Sequence, residues 1–162
     1  MVHSKLDLLK NFCNTYIDKP ILKVAGLNPH AGEEGILGNE EKDWLNSALI
    51  AWNKKNRDIQ LFGPLSPDSC WNSSAKAWLN KDAERHDGIL AMYHDQGLIP
   101  MKVIALNYSV NTTIGLPFIR TSPDHGTGFD IAGRGIAQCQ SMIEAIKAAI
   151  EMNKNSRLLN TH

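Results

Sequence analysis

The sequence has no excess of charge of either sign. Its 162 residues include 17 basic and 17 acidic side chains, and the formal net charge is zero at pH 7. Both signs are scattered along the chain, so the sequence offers no basic face for nucleic acid and no polybasic anchor for a membrane surface. We therefore expect no nucleic-acid partner and no membrane partner, and any anionic ligand should be small and locally recognised.

The sequence also lacks long apolar runs. None approaches the roughly 18 residues of a membrane span. The first ten residues include Lys5, Asp7 and Lys10 among their apolar positions, which is not the pattern of a signal peptide. These two absences predict a cytoplasmic protein.

Cysteine is scarce. Cys13, Cys70 and Cys139 are odd in number, far apart and never in CxxC spacing. This argues against a disulfide framework and against a zinc ribbon, and predicts free thiols in the core or at the surface.

What is present is a regular alternation of helix and strand patterns, with 43% hydrophobic residues. Apolar spacing predicts helices over about 2–16, 40–53, 69–79 and 136–150, the second capped by Asn39. Short apolar runs predict strands at "ILKVAG", "IQLFG", "GILAMY", "MKVIAL", "VNTTIG" and "PFIRT". The pattern indicates one domain with an α/β layered fold, in which ligands bind in loops beyond the carboxyl ends of the strands.

Unusual polar residues fall in those loops. His30 follows "ILKVAG", Asp68 follows "IQLFG", and His94 with Asp95 follows "GILAMY". The histidines lie 64 positions apart, so spacing alone does not identify a metal pair. Either these loops converge on one site, or the residues are ordinary core histidines and turn or cap carboxylates.

Two further groups admit both a structural and a functional interpretation. Lys102, Asn111 and Arg120 follow one another at intervals of nine, either as solvent-facing strand residues or as a site for phosphate or carboxylate. The segment "DHGTGFDIAGRG" has four glycines in twelve residues, as a surface loop or as a loop that lets a ligand approach its backbone.

Four longer motifs make the chain recognisable. "GLNPHAGE", "GPLSPD", "AMYHDQG" and "TIGLPFIRTSPDHGTGFDIAGRG", in this order and spacing, closely resemble the 4-hydroxythreonine-4-phosphate dehydrogenase family of pyridoxal phosphate biosynthesis. The resemblance runs from about residue 2 to about 154 and covers only the C-terminal half of the family's length.

The resemblance implies part of a three-layer α/β/α fold similar to the isocitrate and isopropylmalate dehydrogenases. Residues 1–135 would belong to a metal- and substrate-binding subdomain. Residues 136–162 would form a C-terminal helix and tail that pack on the other subdomain. It also implies a homodimer and a missing N-terminal half as partners.

The resemblance further implies roles for particular residues. His30 and His94 would bind a divalent metal such as zinc, magnesium or cobalt, in a site completed by a histidine of the missing half and shared between two subunits. The expected substrate-binding residues are Lys102, Asn111 and Arg120; the NAD-binding candidates are Gly126, Thr127 and Asp130; the catalytic candidates are Lys102, Asp95 and Asp68.

In the family reaction, NAD oxidises the C3 hydroxyl of 4-phosphooxy-L-threonine. The resulting β-keto acid loses carbon dioxide to give 3-amino-2-oxopropyl phosphate. We expect the chain alone to be deficient in this activity, because two histidines hold a metal weakly.

Three alternatives remain: a non-catalytic remnant or complementing fragment that binds metal or a phosphorylated ligand, a related dehydrogenase of phosphorylated four-carbon sugar acids, and a metal-dependent phosphatase. The absence of a carboxylate-rich two-metal cluster disfavours the phosphatase.

Overall fold

The computed structural model describes residues 1–159, with residues 156–159 described through their backbone only. The chain divides into two compact units, Met1–Pro100 (unit 1) and Met101–His162 (unit 2). Residues 160–162 of the predicted C-terminal tail lie outside the described residues. The predicted division near residue 135 stays a prediction.

Unit 1 is built on a parallel sheet of three strands. Strand β1 (Ile21–Ala25) lies in the centre, between β2 (Gln60–Leu65) and β3 (Gly88–Leu90). Because β1 is central, its apolar residues are shielded on both sides, and Leu22 and Val24 are fully buried. The predicted α/β class with a parallel sheet is confirmed.

Helices of unit 1 cover this sheet. They are α1 (Val2–Asn14), a π-helical turn (Glu41–Leu45) leading into α2 (Asn46–Lys55), and α3 (Asn72–Trp78). The core joins Leu6 and Cys13 of α1 to Leu49 and Trp52 of α2. The Trp52 indole N–H donates to Asp7 Oδ1 at 2.7 Å, so this buried ring also has its polar atom satisfied.

The predicted second helix is correct in position and only partly correct in detail. Its apolar residues Leu45, Leu49 and Trp52 are buried, whereas Trp44, within the π-helical turn, is 40% exposed. The N-terminal cap residue is Glu40, and its side chain makes no capping hydrogen bond, so the predicted Asn39 cap is wrong.

The segment after β3 differs most from its prediction. "MKVIAL" is not a strand but the second half of helix α4 (His94–Ala105). The strand before it ends early, because the Met92 amide donates to the Gln96 side chain at 2.7 Å and turns the chain into the helix. A short, continuous apolar run does not distinguish a strand from a buried helix, which explains the error.

Unit 2 contains an antiparallel hairpin, β4 (Val110–Thr113) with β5 (Arg120–Pro123), and helix α5 (Gln140–Leu159). The helix packs on the hairpin, and the Thr121 hydroxyl donates to the Ala145 carbonyl at 2.8 Å. The helix begins at Gln140 rather than near residue 136. Its predicted apolar face is largely exposed in the described part of the chain, at Ile143, Ile146 and Ile150.

Within residues 1–159, no helix combines the length and the apolar character needed to cross a lipid bilayer.

Candidate functional site

Three loops leave the same edge of the unit 1 sheet. The strands are parallel, so the loops after β1, β2 and β3 all start at their carboxyl ends. The first two loops carry His30 and Asp68, and the third leads into helix α4, whose first two residues are His94 and Asp95. The topology therefore brings the first four predicted site residues to one edge of one sheet.

Gln96 joins two of these loops directly. Its carboxamide N–H donates to the Gly26 carbonyl at 2.7 Å, and its carbonyl oxygen accepts from the Met92 amide at 2.7 Å. The residue is only 7% exposed. Both ends of one buried side chain are thus used to fix the start of the His30 loop against the start of helix α4, which carries His94.

Glu41 fixes the start of the His30 loop through hydrogen bonds to Leu27 and Asn28. Its carboxylate accepts hydrogen bonds from the Leu27 amide at 2.6 Å, the Asn28 amide at 2.8 Å and the Asn28 carboxamide at 2.8 Å. Glu41 is 3% exposed. Burial raises the pKa of Glu41, but the hydrogen bonds from Asn28 and Leu27 outweigh burial and leave the pKa below its usual value.

The His30 loop has an unusual backbone. Five consecutive residues, His30 to Glu34, have positive φ between 42° and 86°, in a left-handed turn within Pro29–Gly35. For residues other than glycine this conformation costs about 1–2 kcal/mol each. At Gly32 an added Cβ would lie 2.7 Å from the Gly38 carbonyl oxygen and 2.9 Å from Glu41. The loop therefore depends on this glycine and on the Glu41 hydrogen bonds, and it leaves His30 exposed.

His94 is oriented by its neighbour. The ring nitrogen Nδ1 lies 2.7 Å from Asp95 Oδ1, and both side chains are exposed. Since a carboxylate oxygen only accepts hydrogen bonds, Nδ1 carries the proton, and in the neutral ring Nε2 keeps its lone pair for a ligand. A carboxylate on the far nitrogen is the arrangement that commonly orients a metal-binding histidine.

Asp68 lies within electrostatic range of His30. The Ser66 hydroxyl donates to Asp68 at 2.5 Å and is the main reason that the pKa of Asp68 lies below its usual value; a positive charge on His30 lowers this pKa further. In the described residues no group of three or more His, Cys, Asp or Glu side chains could hold a metal ion. The structure therefore brings His30, Asp68, His94 and Asp95 to one edge of the sheet but does not assemble them into one metal-binding group among the described residues.

The predicted substrate-binding residues belong to unit 2. Asn111 pairs with Ser122 and Thr113 with Arg120 across the hairpin, so Asn111 and Arg120 share one face as diagonal neighbours, about 7–8 Å apart in such pairs. Thr121, on the other face, contacts α5. Asn111 and Arg120 are both exposed, and an Arg120 guanidinium N–H donates to the Thr113 hydroxyl at 2.7 Å.

Lys102, the third predicted substrate-binding residue, pairs with Asp124. Its ammonium group donates to the Asp124 carbonyl at 3.1 Å and to the Asp124 carboxylate at 3.2 Å. The Ser109 hydroxyl also donates to this carboxylate, at 3.0 Å. The lysine is half exposed, so its charge is held at the start of the glycine-rich segment.

The glycine-rich segment lines a cavity of about 590 Å³ in unit 2. Gly126 and Thr127 are among its lining residues, whereas Asp130 is exposed and is not. The walls combine backbone of the segment with Leu106 and Ile131. A cavity of this size with apolar walls and a few polar groups is typical of small-molecule sites.

The fold and these loops define the class: an α/β protein whose candidate ligand-binding residues follow the carboxyl ends of parallel strands. The match to known proteins is more specific. A family model described as pyridoxal phosphate biosynthetic protein PdxA matches residues 1–149, and the chain belongs to this family.

Individual relatives agree with this assignment. The chain is 53% identical over 150 residues to 4-hydroxythreonine-4-phosphate dehydrogenase of Synechococcus sp. (strain RCC307), covering 91% of this chain and 46% of the relative. It is 56% identical over 137 residues to the enzyme of that name from Synechocystis sp. (strain PCC 6803), covering 84% and 39%. The chain thus spans less than half the length of these relatives.

A solved structure matches as well. The crystal structure of 4-hydroxythreonine-4-phosphate dehydrogenase from Klebsiella pneumoniae superposes with a TM-score of 0.76 at 38% identity, covering 93% of this chain and 43% of that one. The family resemblance and the partial α/β fold predicted from the motifs are confirmed.

Sequence reasoning missed the roles of Glu41 and Gln96. Glu41 lies four residues before Leu45, eight before Leu49 and eleven before Trp52. An acid on that buried stripe is the signal, because a buried carboxylate needs donors. Gln96 stands within "YHDQG" and gives no comparable signal, since its partners are backbone groups.

Proposed function

We propose that this chain carries metal-, substrate- and cofactor-binding residues of an NAD-dependent, divalent-metal-assisted dehydrogenase. The substrate would be 4-phosphooxy-L-threonine, oxidised to a β-keto acid that decarboxylates to 3-amino-2-oxopropyl phosphate. One observation carries the proposal most: His30 and His94, in motifs shared with the family, follow neighbouring parallel strands whose ends are tied together by Gln96.

The residues in unit 1 fit part of a metal site. Both histidines are exposed, and Asp95 leaves Nε2 of His94 available as a donor. Neutral imidazoles suit zinc and cobalt, and leave the ion its positive charge. The chemistry supplied by such an ion is Lewis-acid polarisation of the reacting hydroxyl and carbonyl oxygens.

Unit 2 would supply recognition of the anionic substrate. Arg120 presents a planar fork suited to bidentate contact with phosphate or carboxylate, and Asn111 adds a donor and an acceptor on the same face. Lys102 would contribute a positive charge, and its contacts with Asp124 hold the ammonium group in place.

The cavity beside the glycine-rich segment is the proposed place for part of NAD. Gly126 leaves open space where a side chain would start, because no atom lies within 4 Å of an added Cβ. Its backbone could therefore contact a ligand closely. Asp130, outside the cavity lining, is the weaker candidate. Hydride transfer itself is the chemistry of the nicotinamide, and the protein positions it.

NADH formation tests this function. The purified chain is incubated with 4-phosphooxy-L-threonine, NAD and a divalent metal, alone and with a separately produced N-terminal half of a cyanobacterial relative. Because two histidines leave the coordination sphere incomplete, we expect little turnover by the chain alone and turnover in the mixture.

The control for this assay is the same mixture with His94→Ala, in which turnover should be lost. Turnover that persists in the variant, or a mixture that binds neither NAD nor substrate, would contradict the proposal. A mixture that oxidises only phosphorylated four-carbon sugar acids would keep the reaction type and change the substrate.

A further inference from the structure

A second cavity, of about 330 Å³, lies in unit 1 and involves none of the residues discussed above as metal, substrate or cofactor ligands. It opens beside central strand β1 and helix α3. Its lining includes two ammonium groups, Lys23 and Lys76, the carboxamide of Asn72 and the hydroxyl of Ser73. Glu84 is the only carboxylate among the lining residues.

Lys23 is an unusual residue for its position. It lies in the central strand between the fully buried Leu22 and Val24, and is itself only 6% exposed. A buried ammonium group is costly unless it is paired and hydrogen-bonded. Its partners are the Glu84 carboxylate at 3.0 Å and the Ser73 hydroxyl at 3.2 Å.

The Glu84 partner is a surface residue. Its side chain is 72% exposed, and it lies in a stretch, residues 81–86, that forms neither helix nor strand. An exposed carboxylate becomes fully hydrated when it leaves the pair, so another anion that compensates the buried Lys23 can replace it. The strand therefore fixes the Lys23 side chain at the cavity, whereas its counter-ion is replaceable.

The rest of the lining has spare donors. Among residues 1–155, whose side chains the structure describes, neither the Lys76 ammonium nor the Asn72 carboxamide has a hydrogen-bond or ion-pair partner. Two ammonium groups against one carboxylate leave the wall with a net positive charge. Donors of this kind, grouped around a buried cation, match the several acceptor oxygens of a phosphate group.

From this arrangement we propose that the cavity binds a small phosphate-type oxyanion, with Lys23, Lys76, Asn72 and Ser73 as its donors and Glu84 as an internal competitor for Lys23. The volume accommodates phosphate with a short organic substituent. The ligand is thus inorganic phosphate or a small phosphate monoester. This inference does not depend on the dehydrogenase function, because the residues involved are different.

Titration with phosphate at constant ionic strength tests the inference. Inorganic phosphate and glycerol phosphate are added separately to the purified chain, with binding followed by calorimetry and by ³¹P line broadening. Glu84→Gln should bind about tenfold more tightly, and Lys76→Met about tenfold more weakly, as expected for one charged hydrogen-bonding partner. The relative affinities of the two probes distinguish free phosphate from a monoester.

Lys10→Met is the matched control, because Lys10 also pairs with an exposed carboxylate, Asp58, but does not line the cavity. It should bind phosphate as the parent does. Lys23→Met should abolish binding, and if that variant does not fold, the exposed Lys76 and Glu84 decide the result. No binding by either the parent or Glu84→Gln, or equal weakening by Lys10→Met and Lys76→Met, would overturn the proposal.

Discussion

Replacing Gln96 with leucine removes the hydrogen bonds that tie the His30 loop to helix α4. Two bonds of 2.7 Å are lost, and the Met92 amide and the Gly26 carbonyl lose their partner at a residue that is only 7% exposed. A buried polar group left without a partner costs about 1–3 kcal/mol. For the two groups, with partial relaxation, we expect the free energy of unfolding to fall by about 2–4 kcal/mol.

Urea unfolding of the parent and the variant measures this loss. Gln60→Leu is the control, since Gln60 is exposed, and a surface substitution of this kind should stay within about 0.5 kcal/mol. If Gln96→Leu is no less stable than Gln60→Leu, Gln96 does not join the two loops as described.

Three further substitutions probe the same edge of the sheet. Glu41→Gln replaces a carboxylate oxygen by a donor facing other donors and should cost about 2–4 kcal/mol at neutral pH. Because the pKa of Glu41 is lowered in the folded protein, its contribution exists above about pH 4.5 and is lost on acidification, so parent and variant should converge in acid unfolding curves. Gly32→Ala should lower the free energy of unfolding by about 1–3 kcal/mol, whereas Gly126→Ala, with open space at its Cβ, should change it little in the same urea assay. Asp95→Asn should weaken cobalt binding about tenfold in calorimetry with little change in stability, because the exposed Asp95 side chain orients His94.

Each of these expectations has a clear contrary result. If the stability difference between parent and Glu41→Gln stays constant down to acid pH, the charge of the Glu41 carboxylate does not contribute to the free energy of unfolding. If Gly32→Ala and Gly126→Ala are equally stable, the close contacts at Gly32 do not require a glycine there. Unchanged cobalt affinity in Asp95→Asn would mean that Asp95 does not assist metal binding by His94.

The sequence predicted that polar site residues follow the carboxyl ends of the strands. It did not predict the hydrogen bonds that fix the loops carrying them. Strand β1 and the loop after it were predictable, because a short apolar run, interrupted only by Lys23 and followed by glycine and proline, has few other interpretations. Helix α4 was not, because "MKVIAL" is equally apolar in either period. The left-handed turn at His30 was not predictable either. Five consecutive residues, His30 to Glu34, have positive φ, and only one of them, Gly32, is a glycine.

The link made by Gln96 shows the limit of pattern reasoning. Its partners are backbone atoms of Met92 and of Gly26, the latter 70 positions away in the chain. Backbone groups have no sequence signature, so a side chain that binds them is found only once the fold is known. The family resemblance placed His94 correctly in a motif but assigned no task to the glutamine beside it.

Titration with cobalt(II) tests the central claim, that His30 and His94 together hold a divalent metal. Binding to the purified chain is followed by calorimetry and by visible absorption, with His125→Ala, an exposed histidine of unit 2, as the control. We predict that His30→Ala and His94→Ala each weaken binding at least about tenfold and that His125→Ala does not. Parent-like cobalt affinity in both His30→Ala and His94→Ala would contradict the account.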